Sequence, residues 1–115
     1  MSKITIIHNP RCSKSREALS LLEGKDNVEV VEYLKDGLTV NQLKEILKKL
    51  NISASDLLRK GENDYKEQIK GKELTEDEVV NLMVQYPKLI ERPIIIQNDK
   101  AIIGRPPSLV VDFVK

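Results

Sequence analysis

Cys12 is the only cysteine in this chain of 115 residues, and it sits in the run His8-Asn9-Pro10-Arg11-Cys12-Ser13-Lys14-Ser15-Arg16. The apolar stretch Ile4-Thr5-Ile6-Ile7 comes directly before that run, so a strand delivers the thiol to a basic turn. Ala18, Leu19, Leu21 and Leu22 then repeat at helical spacing, and Ser13 and Ser15 suit a helix entry. Cys12 is thus expected where a helix begins. There the free amides and the positive end of the helix dipole, with Arg11, Lys14 and Arg16, favour thiolate over thiol. The same field suits an oxyanion. The plain alternative is a buried structural thiol, since free cysteine often behaves as a small hydrophobe. Its neighbours argue otherwise: residues 1 to 16 contain Lys3, Arg11, Lys14 and Arg16 and no acidic side chain. The chemistry expected is attack by sulfur on an anion or on a disulfide.

His8 ends the first strand, placed to tune Cys12 as an imidazolium or through a hydrogen-bond network, or simply to tie down the turn. With one histidine and one cysteine, no metal site is expected.

The elements that must position these groups follow from pattern. Gly24-Lys25-Asp26-Asn27 makes a turn, and Val28 to Tyr33 alternates as a second strand. Thr39-Val40-Asn41-Gln42 has the form of a capping box, ahead of a helix with Val40, Leu43, Ile46, Leu47 and Leu50 on one face. Ser53-Ala54-Ser55-Asp56 opens a short segment ending near Arg59-Lys60-Gly61, and residues 62 to 72 are polar without a clear period. Thr75-Glu76-Asp77-Glu78 is a second capping box, for a helix that Pro87 closes. Ile94-Ile95-Ile96 and Ala101-Ile102-Ile103 read as a hairpin turning at Gln97 to Lys100. Pro107 suits the first position of a terminal helix carrying Leu109, Val110 and Phe113. The order β-α-β, several helices, β-β-α implies an α/β fold, a small mixed sheet with helices on its faces.

Composition narrows the function. The chain is 40% hydrophobic and 32% charged, which suits one globular domain over residues 1–115. A net charge of +1 gives no global attraction to nucleic acid or to an anionic membrane, so neither is expected as a partner. No apolar run approaches the length of a bilayer span, the N-terminus lacks the pattern of a signal peptide, and a lone thiol suits a reducing cytoplasm.

Nearly end to end, the chain resembles the small glutaredoxin-dependent arsenate reductases of thioredoxin-like fold. The resemblance is carried by His8-x3-Cys12-x3-Arg16 and by three arginines in matching contexts. These are Leu57-Leu58-Arg59-Lys60, Glu91-Arg92-Pro93-Ile94 and Gly104-Arg105-Pro106. It implies a thioredoxin-like fold with a small mixed four-stranded sheet and a helical insertion between the second and third strands. It also implies that Cys12 is catalytic, that Arg16, Arg59, Arg92 and Arg105 bind the oxyanion, and that His8, Ser15 and Pro93 tune or support the site. Pro93 would be the cis proline that this fold commonly carries opposite its cysteine.

The activity implied is reduction of arsenate, or a similar oxyanion, to arsenite through a Cys12 thiolate–arsenic adduct. No second cysteine can resolve that adduct, so the resemblance supplies glutathione as external reductant and glutaredoxin as partner, with no bound cofactor. Two other readings have a basis in the residues. One is a regulator that binds RNA polymerase, whose family typically carries Cys-x-x-Cys where this chain has Ser15. The other is a monothiol reductase of glutathionylated substrates, which would need the three arginines less.

Overall fold

The computed structural model describes residues 3–25 and 27–114. Four strands and six helices follow in order: β1 (Ile4–His8), α1 (Ser13–Ser20), β2 (Val28–Glu32), α2 (Tyr33–Asp36), α3 (Val40–Leu50), α4 (Asn63–Gln68), α5 (Glu76–Gln85), β3 (Ile94–Gln97), β4 (Lys100–Ile103) and α6 (Ser108–Phe113). Two 3₁₀ turns, Ala54–Leu57 and Pro87–Leu89, flank α4 and α5. The chain divides into two compact units, Met1–Asp36 with Arg92–Lys115, and Gly37–Glu91.

The first unit holds a four-stranded mixed sheet in the order β2-β1-β3-β4. β1 runs parallel to β2 and antiparallel to β3, and β3 pairs antiparallel with β4. Period-two alternation puts Ile4, Ile6 and His8 on one face of β1. In register, Ile4 meets Val28 and Ile6 meets Ile95, which in turn meets Ile102. Ile4, Ile6 and Ile95 pack with Ala18 of α1, with Leu22 in the turn after it, and with Val110 and Val114, and Val28 and Ile102 pack against that cluster. A one-residue slip of β1 would turn His8 away from α1 and move Ile4 and Ile6 to the other face of the sheet. Gly104, just after β4, is buried with little room for a side chain. A Cβ there would lie 3.0 Å from Val110 Cγ2 and 3.2 Å from Pro93 Cγ.

The second unit is helical. Both capping boxes form as expected: Thr39 accepts from the Gln42 amide while Gln42 accepts from Thr39, and Thr75 and Glu78 do the same. The C-terminus of α3 is closed by Asn51 at φ 59°, with the Ile52 amide donating to Leu47 and the Asn51 amide to Lys48, a Schellman arrangement. Leu43, Ile46 and Leu47 of α3 are buried, as are Val79, Val80 and Met83 of α5. Polar residues 63–68 form α4, which buries no side chain and so shows no apolar period. Tyr33, expected to finish the second strand, begins α2 instead. Its ring is buried, so a helical turn hides the aromatic that strand patterning had claimed. No helix among the described residues is long and apolar enough to cross a membrane.

Candidate active site around Cys12

The turn that carries the thiol is built by its own first residues. The Cys12 amide donates to the Asn9 carbonyl at 3.0 Å, closing a β-turn with asparagine first and Pro10 second, the preferred order for both. Asn9 Oδ1 accepts from the Arg11 amide at 3.0 Å, and Arg16 Nη1 donates to the Pro10 carbonyl at 2.9 Å. The chain then enters α1 with Cys12 as the N-cap residue, in extended conformation at φ −96° and ψ 122°.

Behind the turn lies a buried polar knot. Ser15 is fully buried and His8 is 5% exposed. His8 Nδ1 and Ser15 Oγ are 2.7 Å apart, and Ser15 Oγ also accepts from the Asn9 amide at 3.0 Å. Burial pushes the His8 imidazole below its ordinary pKa, Glu32 opposes this, and Arg16 adds to it. The net shift favours the neutral form of the ring. A hydrogen-bond network at His8 is present, joining the end of β1 to α1 through Ser15.

Cys12 is itself buried, at 6% exposed. Burial alone would raise its pKa, but the amides of Ser15 and Lys14 and the charge and hydrogen bond of Arg92 outweigh it, and the net shift is downward. The sulfur makes no cap bond of strict geometry, so the amides act on it mainly as dipoles at the head of α1. Arg92 is buried, whereas Arg105 is exposed with Nη2 3.9 Å from Cys12 Sγ. Each arginine precedes a cis proline, Pro93 and Pro106. The second cis bond was not expected from the sequence. Pro93 is buried, and its carbonyl accepts from the Gly104 amide at 2.8 Å, tying the start of β3 to the end of β4.

The first unit thus gathers Cys12, His8, Ser15, Arg16, Arg92, Pro93 and Arg105. Arg16 is exposed, and its guanidinium serves the Pro10 carbonyl. Arg59 belongs to the second unit. It follows the 3₁₀ turn and Leu58 rather than capping an α-helix, and it pairs with Glu62 at 2.6 Å and with Glu91 at 3.8 Å. Asn9 and Gly104 were not singled out in the sequence. The Asn9-Pro10 pair is a turn signal that would have found the first, but nothing local marks the second. Among the described residues no cluster of His, Cys, Asp or Glu could hold a metal.

A mixed four-stranded sheet with a cysteine at the N-terminus of its first helix, and a cis proline opening the strand beside it, defines a thioredoxin-like protein with a single activated thiol. The ArsC family model matches residues 7–113, and the chain belongs to that family. An arsenate reductase of Haemophilus influenzae is 42% identical over 96% of this chain and 97% of its own. An uncharacterized Escherichia coli protein, YfgD, is 46% identical over 97% of each. The solved arsenate reductase of Vibrio cholerae superposes with a TM-score of 0.90 at 39% identity, covering 96% of this chain and 97% of that one.

Proposed function

We propose that this protein is an arsenate reductase whose nucleophile is Cys12. The observation that carries the reading is a thiol with lowered pKa that has Arg92 beside it and Arg105 at 3.9 Å, in a chain 42% identical to an arsenate reductase. The thiolate attacks arsenic, forming an S–As bond as an arsenate oxygen leaves as water or hydroxide. Arg92, Arg105 and Arg16 supply fixed positive charge for an oxyanion whose charge shifts as that oxygen departs. For Arg59, paired with Glu62 in the second unit, an oxyanion-binding role is proposed from the family resemblance.

Reduction to arsenite takes two electrons. Cys12 and one external thiol, proposed to be glutathione, give one each and end as a mixed disulfide. Glutaredoxin then takes up the glutathionyl group and restores Cys12, which fits the absence of a second cysteine. Such a cycle belongs in a reducing cytoplasm and needs no bound cofactor. Wild-type protein supplied with arsenate, glutathione and glutaredoxin is expected to release arsenite, and Cys12→Ser to release none. Arg92→Lys should lower kcat/KM on the order of a hundredfold, the usual loss for one oriented donor to a developing oxyanion. No turnover by wild-type protein with every component present refutes the reading.

A further inference from the structure

Two cations on the Cys12 turn are not used by the chemistry above. Arg11 and Lys14 are exposed, and among the described residues neither makes an ion pair. They flank the head of α1, whose first turn holds no acidic residue, so they face the positive end of a helix dipole with no internal compensation. The first acid along α1 is Glu17, three residues beyond Lys14, and the two do not pair. Lys3, a further cation of the N-terminal stretch, is by contrast bound to Glu29 at 3.1 Å. Neither Arg11 nor Lys14 contributes its side-chain charge to the lowered Cys12 pKa, whose causes are the Ser15 and Lys14 amides and Arg92. Both side chains are exposed beside Cys12, so their charges are open to what approaches the turn.

We infer that Arg11 and Lys14 select for anionic thiols and disulfides at Cys12, drawing a carboxylate-bearing co-substrate onto the turn. This rests on the reading of Cys12 as the reactive thiol and names the class of co-substrate it prefers. Exposed cations around a small reactive centre raise the encounter rate of anions, and salt removes the advantage.

The test compares two disulfide probes, dianionic 5,5′-dithiobis(2-nitrobenzoate) and neutral 4,4′-dithiodipyridine. In each reaction the Cys12 thiolate attacks one sulfur, an S–S bond forms to the protein, and one aromatic thiolate leaves. The rate ratio of anionic to neutral probe is measured for wild type, for the Arg11→Gln/Lys14→Gln double variant and for Lys100→Gln. Lys100 is an exposed cation opposite Gln97, which pairs with Ile4 at the far end of β1 from Cys12.

At low salt the double variant should lower the ratio about three- to tenfold, within the range of electrostatic steering by a few charges. Lys100→Gln should leave it unchanged, Arg11→Lys should keep it, and about 0.5 M salt should bring wild type down to the double variant. A ratio untouched by the double substitution, or lowered equally by Lys100→Gln, overturns the inference. No arsenate enters the assay, so the ratio measures the effect of Arg11 and Lys14 even in a protein that fails to reduce arsenate. Equally, an unchanged ratio leaves the arsenate reading standing.

Discussion

Ser15→Ala removes one oxygen and separates the candidate site from its support. In the folded protein that oxygen meets His8 Nδ1 at 2.7 Å and the Asn9 amide at 3.0 Å, and Ser15 has no exposure to water. Alanine leaves the nitrogen of His8, a residue 5% exposed, and the Asn9 amide without that partner. A stranded buried polar group costs about 1–3 kcal/mol, and water can reach half-buried Asn9, so the sum is about 2–4 kcal/mol. For a chain of this size a kcal/mol is worth about 4 °C in Tm, which sets the expected fall at about 8–16 °C. Chemical denaturation of wild type and variant measures the loss directly, with exposed Ser13→Ala as the control within about 0.5 kcal/mol. A cycle with His8→Phe should show a coupling of about 0.5–3 kcal/mol, since once the imidazole is gone the serine has less to hold. A loss below about 0.5 kcal/mol, or the same loss with and without His8, refutes the claim that this knot fastens the Cys12 turn to β1.

Two further outcomes follow from the same geometry. The stability difference between wild type and Cys12→Ser should widen as pH rises. An acid whose folded pKa is depressed stabilises fully above its unfolded value, near 8.5 for a thiol, and loses this as pH falls through the folded one. His8, with its lowered pKa, destabilises both proteins alike as pH drops below about 6.5 and cancels in the difference, so a gap that stays constant with pH, read by urea titration, rules out a depressed Cys12 pKa. Gly104→Ala should cost about 1–3 kcal/mol through overpacking, because the new methyl meets Val110 and the Pro93 ring at 3.0–3.2 Å; unchanged urea stability would show that the site has room.

Much of this protein is local, and local features were legible in the sequence. Both capping boxes, the run of isoleucines in β1, the helix entry after Cys12 and the hairpin before Gly104 each depend on residues within a few positions of one another. An acid-free basic turn around a lone cysteine was enough to mark Cys12. Helix α4 escaped because it buries nothing, and Tyr33 misled because β-propensity could not register that a helical turn would hide its ring.

Only the tertiary structure decided how far-apart residues meet at the sulfur. Arg92 and Arg105 stand 80 and 93 positions beyond Cys12, and they reach it because β3 pairs antiparallel with β1 and β4 with β3. The same pairing presses Gly104 against Pro93, a constraint with no sequence period to announce it. The direction in which the His8 pKa moves was likewise beyond the sequence. The lowered pKa comes mainly from burial, and burial exists only once β1 and α1 have packed around Ser15.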